Sequence, residues 1–324
     1  MDSDLESEAP NELPLVSVVI PFYNHESFVE ETLDSVVSQD YANMQILVSD
    51  DCSRDGTGRA LEKYAEKYPQ LISAKLHQEN QGIAGSVNYL LNQCQGKYVA
   101  FLGGDDQMKP GRISTQVKYL EANPEISLCY TNVEVFDGKT GEVLSLHNAP
   151  GINPPVEGHG SQLILGNIIC SPATMVRKDK IPATGFDEKL PVLNDWFFFI
   201  EVSMAGGIGY IDEILTRYRR HPGNTSHRRK DHMQEEFQLM DILEQKYPEH
   251  ARLVQKGRGH IYGRIAREEE LEGNLWEAAR QMRIAIKNGV PLRPYSFFYA
   301  IHPKIIQVLR KFKGEHRSKH WSIR

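Results

Sequence analysis

The sequence has no long apolar run, few cysteines and no excess of basic residues, and each of these absences excludes a class of protein. No run reaches the roughly 18 apolar residues of a membrane-spanning helix, which excludes a polytopic transporter or channel. The first fourteen residues hold five acidic residues and no basic one, which argues against a secretory or mitochondrial signal. The four cysteines form no CxxC pair, so neither a zinc site nor a disulfide framework is predicted: Cys52, Cys94, Cys129 and Cys170. We therefore expect a protein of the reducing cytoplasm.

Charge is distributed unevenly along the 324 residues. The chain carries 37 Lys and Arg against 43 Asp and Glu, a net charge of −6 that argues against nucleic acid as a general partner. Residues 303–324 alone hold seven Lys or Arg against one Glu, a local charge of +6, so the remaining residues carry −12. An acidic body with a basic tail predicts that the tail contacts an anionic surface.

Strands and helices alternate through the first hundred residues. VSVVIP (Val16–Pro21) is a short β-branched run that predicts a buried strand. Ser27, with Glu30 three residues later, predicts a capping box at the start of the next helix. The pattern continues with strands at 45–49, 71–77 and 97–102 and helices at 57–68 and 83–93. Such alternation predicts an α/β fold with a mostly parallel sheet flanked by helices.

The remainder of the chain predicts a looser arrangement. A helix at 112–122 leads to an extended run at 127–135, and the DGKTG sequence at 137–141 predicts a hairpin turn. A helix is predicted over WFFFIEV (196–202), and the pattern after residue 228 is helical. We expect a loose acidic leader over 1–14, a catalytic domain over 15–227 and a helical C-terminal region with a basic tail over 228–324.

Polar residues follow three predicted strands at the point where each strand ends. They are PFYN after the first strand, Asp50-Asp51 after the second and GGDD (Gly103–Asp106) after the fourth. In open parallel sheets the ligand site lies beyond the carboxyl ends of the strands, so these segments predict one polar cleft. Neither GxGxxG after a strand nor GxxxxGK[ST] occurs, which argues against a dinucleotide site and a phosphate loop. Adjacent carboxylates repel unless a cation or donors lie between them, which favours Mg²⁺ or Mn²⁺ as the cofactor.

These residues carry a family resemblance. VSVVIPFYNHESFVEETLDSVVSQDYANMQILVSDDCSRDGT followed by ENQGIAGSVNYLLNQCQGKYVAFLGGDD resembles the donor half of family-2 glycosyltransferases with the GT-A fold. LNDWFFFIEVSMAGGIGYIDEILTRYRRHPGNTS resembles their acceptor half. The resemblance spans about 15–227, with the donor half at 15–106 and the acceptor half at 107–227.

The resemblance implies a role for particular residues. Asp51 would contact the nucleotide base, and the residues that would line the rest of the nucleotide-sugar site are Pro21, Tyr23, Asn24, Asn80, Gly82, Asn88, Asp105 and Arg219. Asp105 and Asp106 match the end of the family's metal-binding Asp-x-Asp-Asp, and His221 would complete the metal shell. The family's first Asp is Gly103 here, which removes one carboxylate from the set.

Asp195 is the predicted catalytic base. It matches the second position of the family's Glu-Asp pair, and a carboxylate beside Trp196 and Phe197 would be partly desolvated and so more basic. The alternative is that Asp195 only caps the helix that follows it. For Arg219 and His221, the alternative is a solvated surface run without a ligand.

The expected activity is inverting transfer of a sugar from a nucleoside-diphosphate sugar to a hydroxyl of a saccharide or lipid-linked saccharide. GGDD in place of the family's Asp-x-Asp-Asp resembles the sequence of enzymes that add rhamnose to bacterial surface polysaccharide or lipopolysaccharide. This resemblance implies dTDP-rhamnose as the donor. The alternatives are a non-catalytic sugar-nucleotide-binding subunit and a sugar nucleotidyltransferase. The latter begins with a glycine-rich basic loop, which PFYNHES lacks.

The C-terminal tail predicts peripheral contact with the inner face of the cell membrane. YSFFYAIHPKIIQVLRKFK (295–313) combines aromatic, aliphatic and basic residues, the composition of a helix that lies on anionic lipid. The alternative is a terminal helix that packs on the catalytic domain with its charges in solvent.

Overall fold

The computed structural model describes residues 13–149, 153–224 and 229–291, which fold around one mixed ten-stranded sheet. The strands are β1 (Val16–Phe22), β2 (Met44–Asp50), β3 (Ile72–Leu76), β4 (Tyr98–Phe101), β5 (Gln107–Met108), β6 (Ile126–Asp137), β7 (Val143–Leu146), β8 (Gly158–His159), β9 (Thr174–Arg177) and β10 (Gly207–Arg220). Their order is β3-β2-β1-β4-β9-β6-β10-β5, with β7 on β6 and β8 on β10. The β3-β2-β1-β4 half is parallel throughout, and β6 pairs with β10 in parallel.

Helices cover both faces of the sheet. Helices α1 (Val29–Val37), α2 (Thr57–Lys67) and α4 (Arg112–Ala122) bury their apolar stripes against one face of the strands. Helices α3 (Gly82–Gln93) and α5 (Asn194–Met204) cover the other face. Residues alternate between the two faces along β1, so Val18 and Ile20 join one core while Val19 joins the other.

Three further helices extend the second core. They are α6 (Arg229–Lys246), α7 (Ala251–Glu272) and α8 (Leu275–Lys287). Leu239, Met240 and Val254 are fully buried in the same cluster as Phe198 of α5, so α6 and α7 extend the core that α5 forms with the sheet. Gly273 adopts a left-handed conformation (φ 91°) between α7 and α8, which lets the chain reverse into a helical hairpin.

The observed elements follow the sequence pattern closely, and the exceptions have physical causes. The predicted capping box does not form: α1 begins at Val29 without a side-chain cap, and the carbonyl of His25 accepts from the amides of Phe28 and Val29. No described helix is long and apolar enough to span a membrane. The described residues do not include residues 1–12 of the leader. They also do not include the two predicted segments of the tail, 295–313 and 303–324, so the membrane contact of the tail stays a prediction.

Phe198 tests the core that joins α5 to the sheet. Its ring is fully buried, stacks on Phe186 at 4.4 Å and meets Phe101 edge to face at 5.6 Å. We expect Phe198→Ala to lower the free energy of unfolding by about 3–5 kcal/mol, because the substitution leaves a cavity that close packing cannot fill. Urea unfolding followed by circular dichroism measures this loss. Leu271→Ala on α7 is the control, since Leu271 is 72% exposed and should change the stability by less than about 0.5 kcal/mol.

Candidate active site

The carboxyl ends of β1, β2 and β4 meet at one edge of the sheet. Asp51 donates its backbone amide to the Phe22 carbonyl at 2.9 Å, and Leu102 donates to Val19 at 3.1 Å, so the three strand ends lie side by side. The parallel half therefore brings together the segments that follow these strands, as predicted from the polar residues at each strand end.

The predicted nucleotide residues form two linked turns at this edge. Asn24, in the left-handed region at φ 53°, receives the Arg54 amide on its side-chain oxygen at 2.9 Å. Asp51 is buried, and its Oδ1 accepts from the Gln81 amide at 2.7 Å while Asn80 Nδ2 donates to the Asp51 carbonyl at 2.9 Å. These bonds fix the Asp51 carboxylate beside the loop that leads into α3.

The other predicted nucleotide residues lie around these turns in different environments. Tyr23 is 43% exposed, whereas Pro21 pairs with Ser49 inside the sheet. Gly82 begins α3 at φ 72°. Asn88 is committed elsewhere, because its side chain donates to the Phe186 carbonyl at 2.9 Å and accepts from the Phe186 amide at 2.7 Å. The structure therefore gives Asn88 a role in holding the loop before α5.

Asp105 lies at the centre of a cluster with two histidines. His221 Nε2 lies 2.9 Å from Asp105 Oδ2, and Asn224 Nδ2 donates to the same oxygen at 3.1 Å. His25, Asp105 and His221 each offer one ligand atom, and these atoms lie within 4.8 Å of one another. Burial would raise the pKa of Asp105, but the His221 bond and the neighbouring His25 and His221 outweigh it and lower the pKa. A carboxylate and two imidazoles in this arrangement fit a divalent cation.

Asp106 is not one of the three residues in that cluster. Its carboxyl group is buried, and Oδ1 accepts from the backbone amide of Arg219 at 2.9 Å. Burial and the adjacent Asp105 charge raise its pKa well above the ordinary value. Asp106 thus ties the turn after β4 to the end of β10, and its predicted role as a metal ligand stays a prediction.

Arg219 holds the same turn with its side chain. Nε donates to the Asp105 carbonyl at 2.7 Å, and a terminal nitrogen forms an ion pair with Glu31 at 2.5 Å. The guanidinium lies between the rings of Phe28 and Phe136, at 4.8 and 4.7 Å from their centroids. Since the side chain is only 4% exposed, its observed contacts are with the protein, and its contact with a bound diphosphate stays a prediction.

Two residues of this site, His25 and Asn224, were not predicted from the sequence. His25 directly follows PFYN at the same strand end, so its place in the sequence indicated that it could belong to the site. Asn224 follows His221 in HPGN, where its side-chain oxygen accepts the His221 amide at 2.6 Å and closes a tight turn. Its amide then reaches Asp105, a contact between residues 119 positions apart that no local pattern encodes.

Asp195 lies in the first turn of α5. The helix begins at Asn194 after Leu193, and no side chain caps it, so the alternative role of Asp195 as the N-cap residue is not what the structure shows. Burial raises the pKa of Asp195 to about 6, although backbone amides of the first turn favour its charged form. A carboxylate with this pKa can accept a proton near neutral pH.

The C-terminal helices hold the helix that carries Asp195. Glu235 of α6 accepts the amides of Val192 and Leu193 at 3.0 Å each, just before α5 begins. Lys246, at the end of α6, forms an ion pair with the buried Glu201 of α5. The position of Asp195 therefore depends on α6 as well as on the sheet.

Cys170 connects the two acidic parts of the site. Burial raises the pKa of its thiol, and the charges of Asp106 and Asp195 raise it further. The charges of both carboxyl groups therefore act on the same buried thiol.

Comparisons with known proteins identify the family. The model of "Glycosyl transferase family 2" matches residues 17–182, about half of the chain. A glycosyltransferase of Haemophilus influenzae is 32% identical over 66% of this chain and 68% of its own length. A protein of Mycobacterium tuberculosis is 30% identical over 64% of this chain, which spans 59% of that relative's length. The putative teichuronic acid biosynthesis glycosyltransferase TuaG of Bacillus subtilis is 39% identical over 33% of this chain and 42% of its own.

Solved structures share the fold at lower identity. The mannosyltransferase PcManGT of Pyrobaculum calidifontis, in complex with GDP-Man and Mn²⁺, superposes with a TM-score of 0.60 at 17% identity and covers 93% of this chain and 87% of its own. S. aureus TarS 1-349, in complex with UDP-GlcNAc, has a TM-score of 0.56 at 17% identity, covering 84% of this chain and 88% of its own. The predicted GT-A fold, with its mostly parallel sheet and helical C-terminal region, is confirmed. By its matched family model and its glycosyltransferase relatives, the chain belongs to glycosyl transferase family 2.

Proposed function

We propose that this chain transfers a sugar, with inversion, from a nucleoside-diphosphate sugar to a hydroxyl group of a saccharide or lipid-linked saccharide in surface-polysaccharide synthesis. The observations that support the proposal are the convergence of His25, Asp105 and His221 within 4.8 Å and the buried carboxyl group of Asp195, whose pKa burial raises to about 6. A base and a cation-binding cluster at one site are what the reaction requires. The name of TuaG supports a cell-wall polysaccharide as the product class, and dTDP-rhamnose remains our proposed donor.

The donor would bind along the carboxyl edge of β1, β2 and β4. Asp51 has one carboxylate oxygen engaged by the Gln81 amide, and we propose that the carboxylate also contacts the base. Asp105 and His221 would hold Mg²⁺ or Mn²⁺, as expected from their convergence with His25 within 4.8 Å. When bound, such an ion neutralises charge on the diphosphate leaving group. PcManGT binds GDP-Man and Mn²⁺, which supports this assignment.

Asp195 would act on the acceptor. Its carboxylate takes the proton of the acceptor hydroxyl as that oxygen bonds to the anomeric carbon, and the bond from that carbon to the diphosphate breaks on the opposite face. The nucleoside diphosphate leaves with the electron pair of the broken bond. The raised pKa suits this role, because the carboxylate is a stronger base than an exposed one and is still ionised at neutral pH. Glu235 and the first turn of α5 would keep the carboxylate oriented.

The reaction class is tested by a panel of donors. Purified full-length protein is incubated with dTDP-rhamnose, UDP-GlcNAc or GDP-mannose and Mn²⁺, with saccharide acceptors, and free nucleoside diphosphate is measured. We expect one donor to release nucleoside diphosphate in a metal-dependent reaction, with an acceptor product of inverted anomeric configuration by NMR. Release of pyrophosphate from a nucleoside triphosphate and a sugar phosphate would indicate a nucleotidyltransferase instead. Donor binding without any product would indicate the non-catalytic subunit.

Asp195→Asn tests the base. We expect donor binding, measured by thermal shift, to stay unchanged while turnover falls by about 10²–10⁴-fold, the usual contribution of a general base. In the unchanged protein, kcat/KM should fall as the pH drops through about 6, because protonation of Asp195 removes the base. Asp179→Asn, at a side chain that is 71% exposed, is the matched control and should keep full activity. Turnover of the Asp195→Asn variant at the normal rate would contradict the assignment.

The same variant has a stability signature. The folded-state pKa of Asp195 lies above its ordinary value of 3.8, so the fold binds the proton more tightly than the unfolded chain does. Ionisation of Asp195 therefore costs stability as the pH rises from about 4 to about 6. We expect Asp195→Asn to raise Tm above pH 6 and to leave Tm unchanged near pH 3. A lower Tm at pH 8 would show that the carboxylate is stabilised by the fold.

Arg219→Lys tests how the metal-binding turn is held. Lys keeps the charge but cannot bond Asp105 and Glu31 in the geometry of the guanidinium. We expect the Mn²⁺ concentration for half-maximal activity to rise about 10–100-fold, as for other residues that orient metal ligands. Arg217→Lys is the matched control, since Arg217 lies on the same strand and over the same Phe136 ring but pairs with Glu134. An equal change in both variants would show that the effect is not specific to the turn.

A further inference from the structure

His25 presents a buried nitrogen that has no partner in the described part of the chain. The residue lies in the turn between β1 and α1, and its Nδ1 is shielded from solvent without a hydrogen bond to any described residue. A buried polar nitrogen without a partner is costly, and such a group calls for a ligand, an ion or a water. The His25 ring lies edge to face with the His221 ring, at 6.1 Å between centroids. One nitrogen of the His25 ring lies within 4.8 Å of the ligand atoms of Asp105 and His221, so the ring belongs to the neighbourhood of Asp105.

The two glycines after β4 explain how His25 reaches this position. A Cβ at Gly104 would lie 2.8 Å from His25 Nδ1 and 2.6 Å from the ring of Phe22, closer than real contacts allow. Only glycine at 104 therefore lets the imidazole approach the turn. A Cβ at Gly103 would lie 2.8 Å from Asp105 Oδ1 and 2.7 Å from Asp106 Oδ2. The two carboxyl groups occupy the space that a side chain at 103 would need.

The cluster consequently differs in donor chemistry from a set of carboxylates. Position 103 supplies no side-chain oxygen, Oδ1 of Asp106 is bonded to the Arg219 amide, and the donors that converge among the described residues are Asp105, His25 and His221. Two imidazoles and one carboxylate on one side of an ion form the donor set that holds first-row transition metals with open positions left for substrate. Mg²⁺ prefers oxygen ligands and is a poor match for imidazole.

We propose that His25 is the third protein ligand of the cation and that this 2-His-1-carboxylate set makes the site selective for transition-metal ions over Mg²⁺. The proposal rests on the cation-binding role of Asp105 in the proposed function. It concerns binding of the ion alone, so its test needs neither a donor nor turnover. A failure to find the sugar donor would leave the test intact.

Binding of Co²⁺ and Mn²⁺ to the metal-free, full-length protein tests the proposal. Co²⁺ is followed by its visible absorption, which reports imidazole coordination, and Mn²⁺ by the electron paramagnetic resonance of the free ion. We expect one ion per chain, and we expect a hundredfold excess of Mg²⁺ to leave bound Mn²⁺ in place. Displacement of Mn²⁺ by that excess of Mg²⁺ would overturn the selectivity.

Variants at position 25 test the ligand itself. We expect His25→Ala to weaken Co²⁺ and Mn²⁺ binding about tenfold or more, since even residues that only orient ligands have effects of that size. His25→Asp exchanges nitrogen for oxygen and should keep Mn²⁺ binding while shifting the Mn²⁺ to Mg²⁺ preference toward Mg²⁺. Thermal unfolding confirms that each variant is folded. The shift in His25→Asp tests the proposal even if His25→Ala does not fold.

Two further variants complete the design. His250→Ala is the matched control. The His250 ring contacts His159, which pairs with Gly207 at the end of β10 that lies opposite His221. Removal of the His250 imidazole should therefore leave metal binding unchanged. Asp105→Asn should abolish binding. Unchanged binding in His25→Ala together with loss in Asp105→Asn would show that the ion is held without His25. Unchanged binding in both would place the ion elsewhere, and either result overturns the proposal.

Discussion

The contact between the turn after β4 and the end of β10 is the constraint on which the site depends. Asp105 and Asp106 are adjacent, with side chains largely shielded from solvent, an arrangement that is unstable when both carry charge. The fold resolves this by giving them different partners. The amide of Arg219 binds Asp106, while the Arg219 side chain binds the Asp105 carbonyl and leaves the Asp105 carboxylate for His221 and Asn224. Every donor that converges on Asp105 is positioned by this contact or by the loop before α1.

The two halves of the chain contribute unequally to the site. In the parallel half, backbone hydrogen bonds hold the strand ends side by side, as between the amide of Asp51 and the carbonyl of Phe22. The second half adds His221, Asn224 and Asp195 to the side chains of the first half, and it does so through elements that need support of their own. The loop before α5 is held by Asn88 at Phe186 and by Glu235 at Val192 and Leu193. The helices after residue 228 are therefore part of the architecture of the site and not an appendage to it.

Local sequence patterns predicted most of the fold and the position of the cleft. The apolar residues recur every 2 residues in strands and every 3.6 in helices, and the polar residues at the strand ends are likewise visible in short segments of sequence. The helix at 112–122 was predicted to the residue, and the strand at 126–137 within two. What could not be predicted depends on contacts between distant segments. Arg219 has the residue type of a phosphate ligand, yet Glu31, Phe28 and Phe136 enclose it. The capping box at Ser27 did not form, because α1 begins two residues later, at Val29, with Phe28 and not Ser27 at the N-cap position.

The three aspartates of the site show why residue type alone does not assign chemistry. Asp105 is largely shielded from solvent, but two neighbouring histidines lower its pKa, so it stays ionised and suits a cation. Asp106 is buried beside that charge, its pKa is raised strongly, and its role is to bind the backbone of β10. Burial raises the pKa of Asp195 to about 6 with no neighbouring cation among the causes of the shift, and this value suits proton transfer. Three side chains of the same type thus have different pKa values because their environments differ, and the different pKa values suit them to different functions. A Cβ at position 103 would lie within 2.8 Å of oxygens of Asp105 and Asp106, so a fourth carboxylate there would require these two side chains to shift.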